Sequence, residues 1–195
     1  MLKNEEVNFY AIAELQQRIA VYEDAVAYKK LFFYLFLPLK SFSFSIVKCK
    51  EHAEEIVSDI FVEIWARRKQ LLEIEDLKMY MYTSVRNASL RKFQQIHKKR
   101  ILSLNELSVE MVCMEPNAET SMISAELVRK IEFAIDQLPP QCKIIFKLAK
   151  EDKLKYKEIA QLLAISVKTI DNQLSTALKK IASVLNLPIK KSSEK

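Results

Sequence analysis

Glycine is absent from all 195 residues of the chain. Tight hairpins, phosphate-cradling loops and dinucleotide-binding turns draw on glycine, so sheets, P-loops and Rossmann sites are strongly disfavoured. Cysteine occurs three times and histidine twice. Cys49, Cys113 and Cys142 lie far apart, make no C-x-x-C pair, and have only His52 and His97 beside them as soft ligands. They read as reduced thiols of a cytoplasmic protein, with no metal site and no cofactor. No catalytic triad or nucleotide loop can be assembled, which sets enzymes aside. The N-terminus, MLKNEEVN, is acidic where a signal peptide would be basic and then apolar. Long hydrophobic runs are also lacking. The run 31–39, LFFYLFLPL, is too short to cross a bilayer and contains Pro38. A buried core helix is expected there, not membrane insertion.

Half of the residues are hydrophobic and 29% are charged, the balance of a soluble globular protein. The length allows one large domain or two small ones, each with a core. With sheets disfavoured, the expected fold class is all-α. The net charge of +6 and pI of about 9.1 suit a polyanionic partner. The excess gathers late: Lys143, Lys147, Lys150, Lys153, Lys155 and Lys157 precede the most sharply patterned stretch.

That stretch is 156–185, YKEIAQLLAISVKTIDNQLSTALKKIASVL. Ile159, Ala160, Leu162 and Leu163 form the buried face of one short helix. Val167, Ile170, Leu174, Ala177, Leu178, Ile181 and Leu185 form a 3.6-period stripe on a second. Ala164 and Ile165 make the turn, and Ser166 stands where an N-cap belongs. Such turns usually place Gly at the left-handed position, and Ala164 there costs on the order of 1 kcal/mol. Small Ala160 permits a close crossing that Ile170 fills. This is the pattern of a helix-turn-helix whose second helix enters a major groove. Opposite its stripe lie Lys168, Thr169, Asp171, Asn172, Ser175, Thr176 and Lys179. Asn can pair with adenine, Ser and Thr can bond bases or phosphates, and Lys neutralises phosphate. A merely solvated helix face would look similar.

Upstream, helices are expected over 8–20 and from an Asp24 cap to Pro38, where the chain must kink or end. SFSFSIV alternates like a strand, but with no partner strand it is assigned to helix. The segment 51–68 shows a wide apolar face of Ala53, Ile56, Val57, Ile60, Phe61, Ile64 and Trp65. Glu51, Glu55, Asp59 and Glu63 follow at i, i+4, a spacing at which like charges oppose a helix by a few tenths of a kcal/mol. Either solvent screens that stripe or a basic protein surface docks on it. After a loop at 71–76, the helix expected over 77–96 has Leu77, Met81, Val85 and Ala88 as core. Tyr80, Tyr82 and Phe93 mix there with Thr83, Arg86, Asn87, Arg91 and Lys92, a combination that can stack unpaired bases along a backbone. The alternative is that the tyrosines are core. Periodicity is lost over 103–124, and acids replace bases there. The domains expected are therefore 1–102 and 125–195, joined by that linker. Further helices are expected over 125–136, capped by Ser124 or Thr120, and over 141–150.

Taken together, AEEIVSDIFVEIWARR, LKMYMYTSVRNASLRKF and IDQLPPQCKIIFKLAKEDKLKYKEIAQLLAISVKTIDNQLSTALKKI resemble a bacterial RNA polymerase sigma factor. The resemblance is to the sigma-70 family, extracytoplasmic-function (ECF) group, in the forms common among Bacteroidetes-type members, and runs from about residue 24 to 185. It implies a region 2-like helical bundle and a region 4-like helix-turn-helix. Glu55, Asp59 and Glu63 would dock on the coiled-coil clamp of core polymerase. Tyr82, Thr83, Arg86, Asn87, Arg91 and Lys92, with the preceding 73–78 loop, would hold the melted −10 element of promoter DNA. Lys168, Thr169, Asp171, Asn172, Ser175, Thr176 and Lys179 would read the −35 duplex. Arg is common in the family where Thr176 stands, which bears on base preference. An anti-sigma factor is the further partner implied. A stand-alone helix-turn-helix regulator and a helical interaction module without DNA binding remain open at this point.

Overall fold

The computed structural model describes residues 9–96 and 122–185. The chain divides into two compact units, Met1–Ile101 and Leu102–Lys195. Every element among the described residues is helical.

The first unit contains α1 (Phe9–Tyr22), α2 (Ala25–Val47), α3 (Lys50–Ala66), a 3-10 turn (Arg68–Glu73) and α4 (Leu77–Ile96). Helix α2 is its axis, packed against α1, α3 and α4. Its start is set by Asp24, whose carboxylate accepts from Val26 N at 2.8 Å and Ala27 N at 3.0 Å. Arg18 holds that carboxylate from behind, Nη2 to Oδ2 at 2.6 Å. The backbone N–H of Ala27 first, and then Arg18, hold the Asp24 carboxyl below its usual range.

Of the two outcomes expected at Pro38, ending is ruled out: α2 continues through it to Val47. Leu31 and Leu35 before that point, and Leu39, Phe42 and Ile46 beyond it, are all buried. Burying one such side chain stabilises by about 1.5–3 kcal/mol, so the three after Pro38 outweigh a helical proline's cost of about 3 kcal/mol. The alternating serines settle inside the bundle. Ser43 and Ser89 share a hydrogen bond at 2.8 Å, and Ser45 donates back to Phe42 O at 2.6 Å. On the α3 side, Phe32 stacks on Phe36 (centroids 4.5 Å apart) and tilts against Phe61 at 4.9 Å, while Tyr28 donates to Phe61 O. Helix α2 is also the one described helix long and apolar enough to cross a membrane. Much of its apolar face is spent on this core.

The stretch expected as a loop at 71–76 is in part the end of the 3-10 turn, with buried Leu71 as its anchor. The second unit contains α5 (Met122–Asp136), α6 (Pro140–Phe146), a π-turn (Lys147–Glu151), α7 (Tyr156–Leu163) and α8 (Val167–Val184). Helix α5 begins at Met122, so Ser124 lies within it and is no cap. Thr120, Cys113 and linker residues 103–121 lie outside the described residues. Helix α6 stops at Phe146, four residues before the expected end, and the π-turn takes over.

Candidate nucleic-acid interface

Helix α7 begins with Glu158 reaching back to accept from Lys155 N at 2.7 Å. It ends at Ala164, whose φ of 55° and ψ of 43° are left-handed. Ile165 N then closes onto Ala160 O at 3.1 Å, satisfying one of the last carbonyls. Two residues on, Ser166 Oγ accepts from Thr169 N at 3.0 Å and starts α8. Cap, left-handed turn and cap together fix the angle between α7 and α8.

Two cores hold α8 from beneath. Ile159, Ala160, Leu162 and Leu163 of α7 are buried where α7 packs on α8, as is Ile170. Ala177 and Ile181 join Ala134 of α5, Leu138, and Cys142 of α6 in a second cluster. Cys142 Sγ donates to Gln173 Oε1 at 2.5 Å, tying α6 to α8, and burial pushes that thiol's pKa up. Two residues of the expected apolar stripe depart from it. Val167 and Leu178 are 43% and 49% exposed, because the stripe is wider than the surface α7 and α6 cover.

Above this base the outward face carries Lys168, Asp171, Asn172, Ser175, Thr176 and Lys179, all exposed. The side chains of Asn172, Ser175 and Lys179 make no hydrogen bond or ion pair among the described residues. Thr169 is half-buried, and its hydroxyl pairs with Ser166 Oγ at 2.9 Å, so its first duty is to the cap. Thr176 Oγ1 donates to Asn172 O at 2.9 Å. Lys150, Lys153, Lys155 and Lys157 are exposed ahead of this face. Lys143 is not among them. It is buried, with Nζ 2.5 Å from Asp136 Oδ1, where it ties α6 to the end of α5.

In the first unit, α4 sorts its side chains by period. Leu77, Met81, Tyr82, Val85 and Ser89 point inward. Tyr82 was expected on the strand-holding face and is instead fully buried, its ring 5.5 Å from that of Phe42. It is a core residue because it falls one position after Met81, on the bundle side of the helix. The exposed stripe is Tyr80, Thr83, Asn87 and Arg91, spaced i, i+3, i+7, i+11. Tyr80, 42% exposed, is therefore the aromatic this face offers, and its spacing from Thr83 and Asn87 was the signal for it. Arg86 is half-buried, with Nη1 3.3 Å from Asn87 Oδ1.

Glu55, Asp59 and Glu63 are exposed on α3, as expected. Glu63 pairs with Arg67 at 3.2 Å, and Glu55 pairs with Lys92 at 3.0 Å, so the acidic row and the basic end of α4 adjoin. Beside Glu63 and Arg67, a small open cleft of about 50 Å³ reaches Leu71, Ile74 and Tyr80. Among the described residues no group of three or more His, Cys, Asp or Glu side chains is placed to hold a metal.

Residues 129–189 match the family model described as Sigma-70, region 4. The fold is similar to that of the sigma factor RpoE from Bartonella quintana, solved in complex with the anti-sigma factor NepR. The likeness covers 83% of this chain and 98% of that one, at 19% identity and a TM-score of 0.54. No curated protein matches the sequence.

Proposed function

We propose, starting from a chain that carries a sigma-70 region 4 domain in a sigma-factor fold, that the protein is a sigma factor of the ECF group. It has no chemistry of its own. It binds core RNA polymerase in the cytoplasm, directs it to promoters and is released after initiation. The observation that carries the reading is α8 itself. One face is packed against α5, α6 and α7, and the other lays out Lys168, Asp171, Asn172, Ser175, Thr176 and Lys179 in the open. Those side chains would read the −35 duplex in its major groove, with Thr169 supporting from the cap. Lys153, Lys155 and Lys157 would neutralise flanking phosphates.

Opening the −10 region requires compensation for unstacked bases. Tyr80, Thr83, Arg86, Asn87 and Arg91, with Lys92 at the edge, would supply it from α4, together with the turn before that helix. Asp59, Glu55 and Glu63 would dock on a basic clamp of the polymerase, which accounts for a like-charge row that weakens its own helix. Residues 1–102 would thus serve polymerase and the −10 element, and 125–195 the −35 element. An anti-sigma factor is the inhibitory partner this reading implies, and the motif forms would place the chain among Bacteroidetes-type members of the group. Mixing the purified chain with core polymerase and a promoter library tests it. Promoter-dependent transcripts are expected. Binding to duplex DNA without polymerase would point instead to a stand-alone regulator, and neither outcome would leave an interaction module.

A further inference from the structure

Helix α1 enters none of the roles above, yet it carries one buried amide in an unusual setting. Gln16 is 9% exposed. Its Nε2 donates to Leu71 O at 2.6 Å and to Ile74 O at 2.7 Å, across 55 and 58 residues of chain. Two carbonyls face the group, so the NH2 end must point at the turn, and both its hydrogens are used. These carbonyls belong to the end of the 3-10 turn, where helical carbonyls lack partners of their own. Leu71 O also accepts from Ile74 N at 3.1 Å, so both its lone pairs are engaged. Three residues link this point to α4. At their far end Asp76 Oδ1 accepts from Met79 N at 2.9 Å and caps that helix. The bridge Ile74–Asp76 is thus pinned at both ends, by Gln16 and by its own cap. Leu72 and Glu73 at the end of the 3-10 turn, and Glu75 in the bridge, are exposed, and Tyr80 stands one turn into α4.

An apolar side chain at position 16 would fill the same space without touching these carbonyls. Burying a polar amide is favourable only when its donors are matched, and here the match is to backbone rather than to another side chain. Nothing in the packing of α1 requires a donor. The shape of the turn does.

We propose that Gln16 is a positioning residue for promoter opening. Its amide holds the 71–76 turn in the one conformation from which that turn and the start of α4 receive the unpaired −10 strand. The inference rests on the sigma-factor reading and adds to it a residue remote from any nucleic acid.

The test uses the full chain assembled with core polymerase, and a single-stranded oligonucleotide spanning the −10 element of a promoter that the wild-type holoenzyme transcribes. Gln16→Met keeps the volume and removes both donors. Strand binding is expected to weaken about tenfold, in proportion to a lost pair of buried hydrogen bonds. Association with polymerase and binding of a −35 duplex by the same holoenzyme are expected to stay within about twofold. Full strand binding by Gln16→Met would overturn the proposal, and so would an equal loss of polymerase association, the mark of a general packing defect. If Gln16→Met does not fold, Gln16→His, which keeps one N–H donor, replaces it. An intermediate loss confined to strand binding is then expected, and wild-type strand binding overturns the proposal. A wild-type chain that opens no promoter with polymerase would instead overturn the sigma-factor reading, and this inference with it.

Discussion

Replacing Ile170 by Ala tests whether α8 owes its pose to packing. Ile170 lies in the first turn of α8 and is fully buried where that helix packs on α7. The substitution removes three carbons, worth about 2.4 kcal/mol in lost burial, and the cavity term raises the cost to about 3–4 kcal/mol. In a unit of fewer than 100 residues, 102–195, each kcal/mol moves the thermal midpoint by roughly 4–8 °C. A drop on the order of 15 °C in the transition of that unit is therefore expected. Circular dichroism with the full chain measures it, and −35 duplex binding by the reconstituted holoenzyme should fall in the same temperature range. Asn172→Ala is the control, because it removes an exposed amide and should weaken promoter binding without moving the midpoint. A loss below about 1 kcal/mol for Ile170→Ala would refute the reasoning, since a side chain with no exposure and a rigid surround cannot be trimmed so cheaply.

Reversing Asp59 and Glu63 to Lys together should weaken polymerase association at least tenfold while circular dichroism stays unchanged; undiminished association would show that the row on α3 is not the docking face. Ser166→Ala should cost about 1 kcal/mol in urea denaturation, through the Thr169 N–H it leaves uncapped. Asp136→Ala leaves the buried Lys143 ammonium without its carboxylate and should cost about 3 kcal/mol, far more than Asp171→Ala on the exposed face. The Asp24 carboxyl is held down by the Ala27 N–H and by Arg18, so its folded pKa lies below its unfolded value of about 3.9. Its contribution is therefore complete above that unfolded value and fades as pH falls through the folded one. Urea midpoints should converge for wild type and Asp24→Asn as pH drops from 5 towards 2, and parallel curves would contradict the assignment.

The parts legible in the sequence were those with a local cause. Asp24 and Ser166 announce helix starts because a short oxygen-bearing side chain before an apolar run has one good use. Ile159 and Leu163 on α7, and Ile170, Leu174 and Ile181 on α8, each keep a helical period and are buried. Absent glycine argued against sheets, and SFSFSIV became helix although its alternation suits a strand. The failures needed information from elsewhere in the chain. Whether Pro38 ends α2 depends on what the residues beyond it find to pack against, and Phe42 finds Tyr82 of α4. Tyr82 and Tyr80 differ by two residues, hence by about 200° around α4, and only the position of α2 says which one is core. Lys143 read as one more cation in a basic run until Asp136 was placed beside it. Gln16 gave no signal at all, because its partners are carbonyls, which every residue has.

Among the described residues, the non-glycine Glu23, Lys48, Lys153 and Ala164 have φ between 51° and 57°. Each carries strain in the native turn, yet each also narrows what the denatured chain can explore at the same bond, by about 0.4–1 kcal/mol relative to glycine. The two effects oppose one another, and at a left-handed φ the strain is the larger, so Ala164→Gly would raise equilibrium stability modestly. A reversal built this way is stiff on both sides of the folding transition, and the turn between α7 and α8 leaves little slack in the angle at which α8 stands.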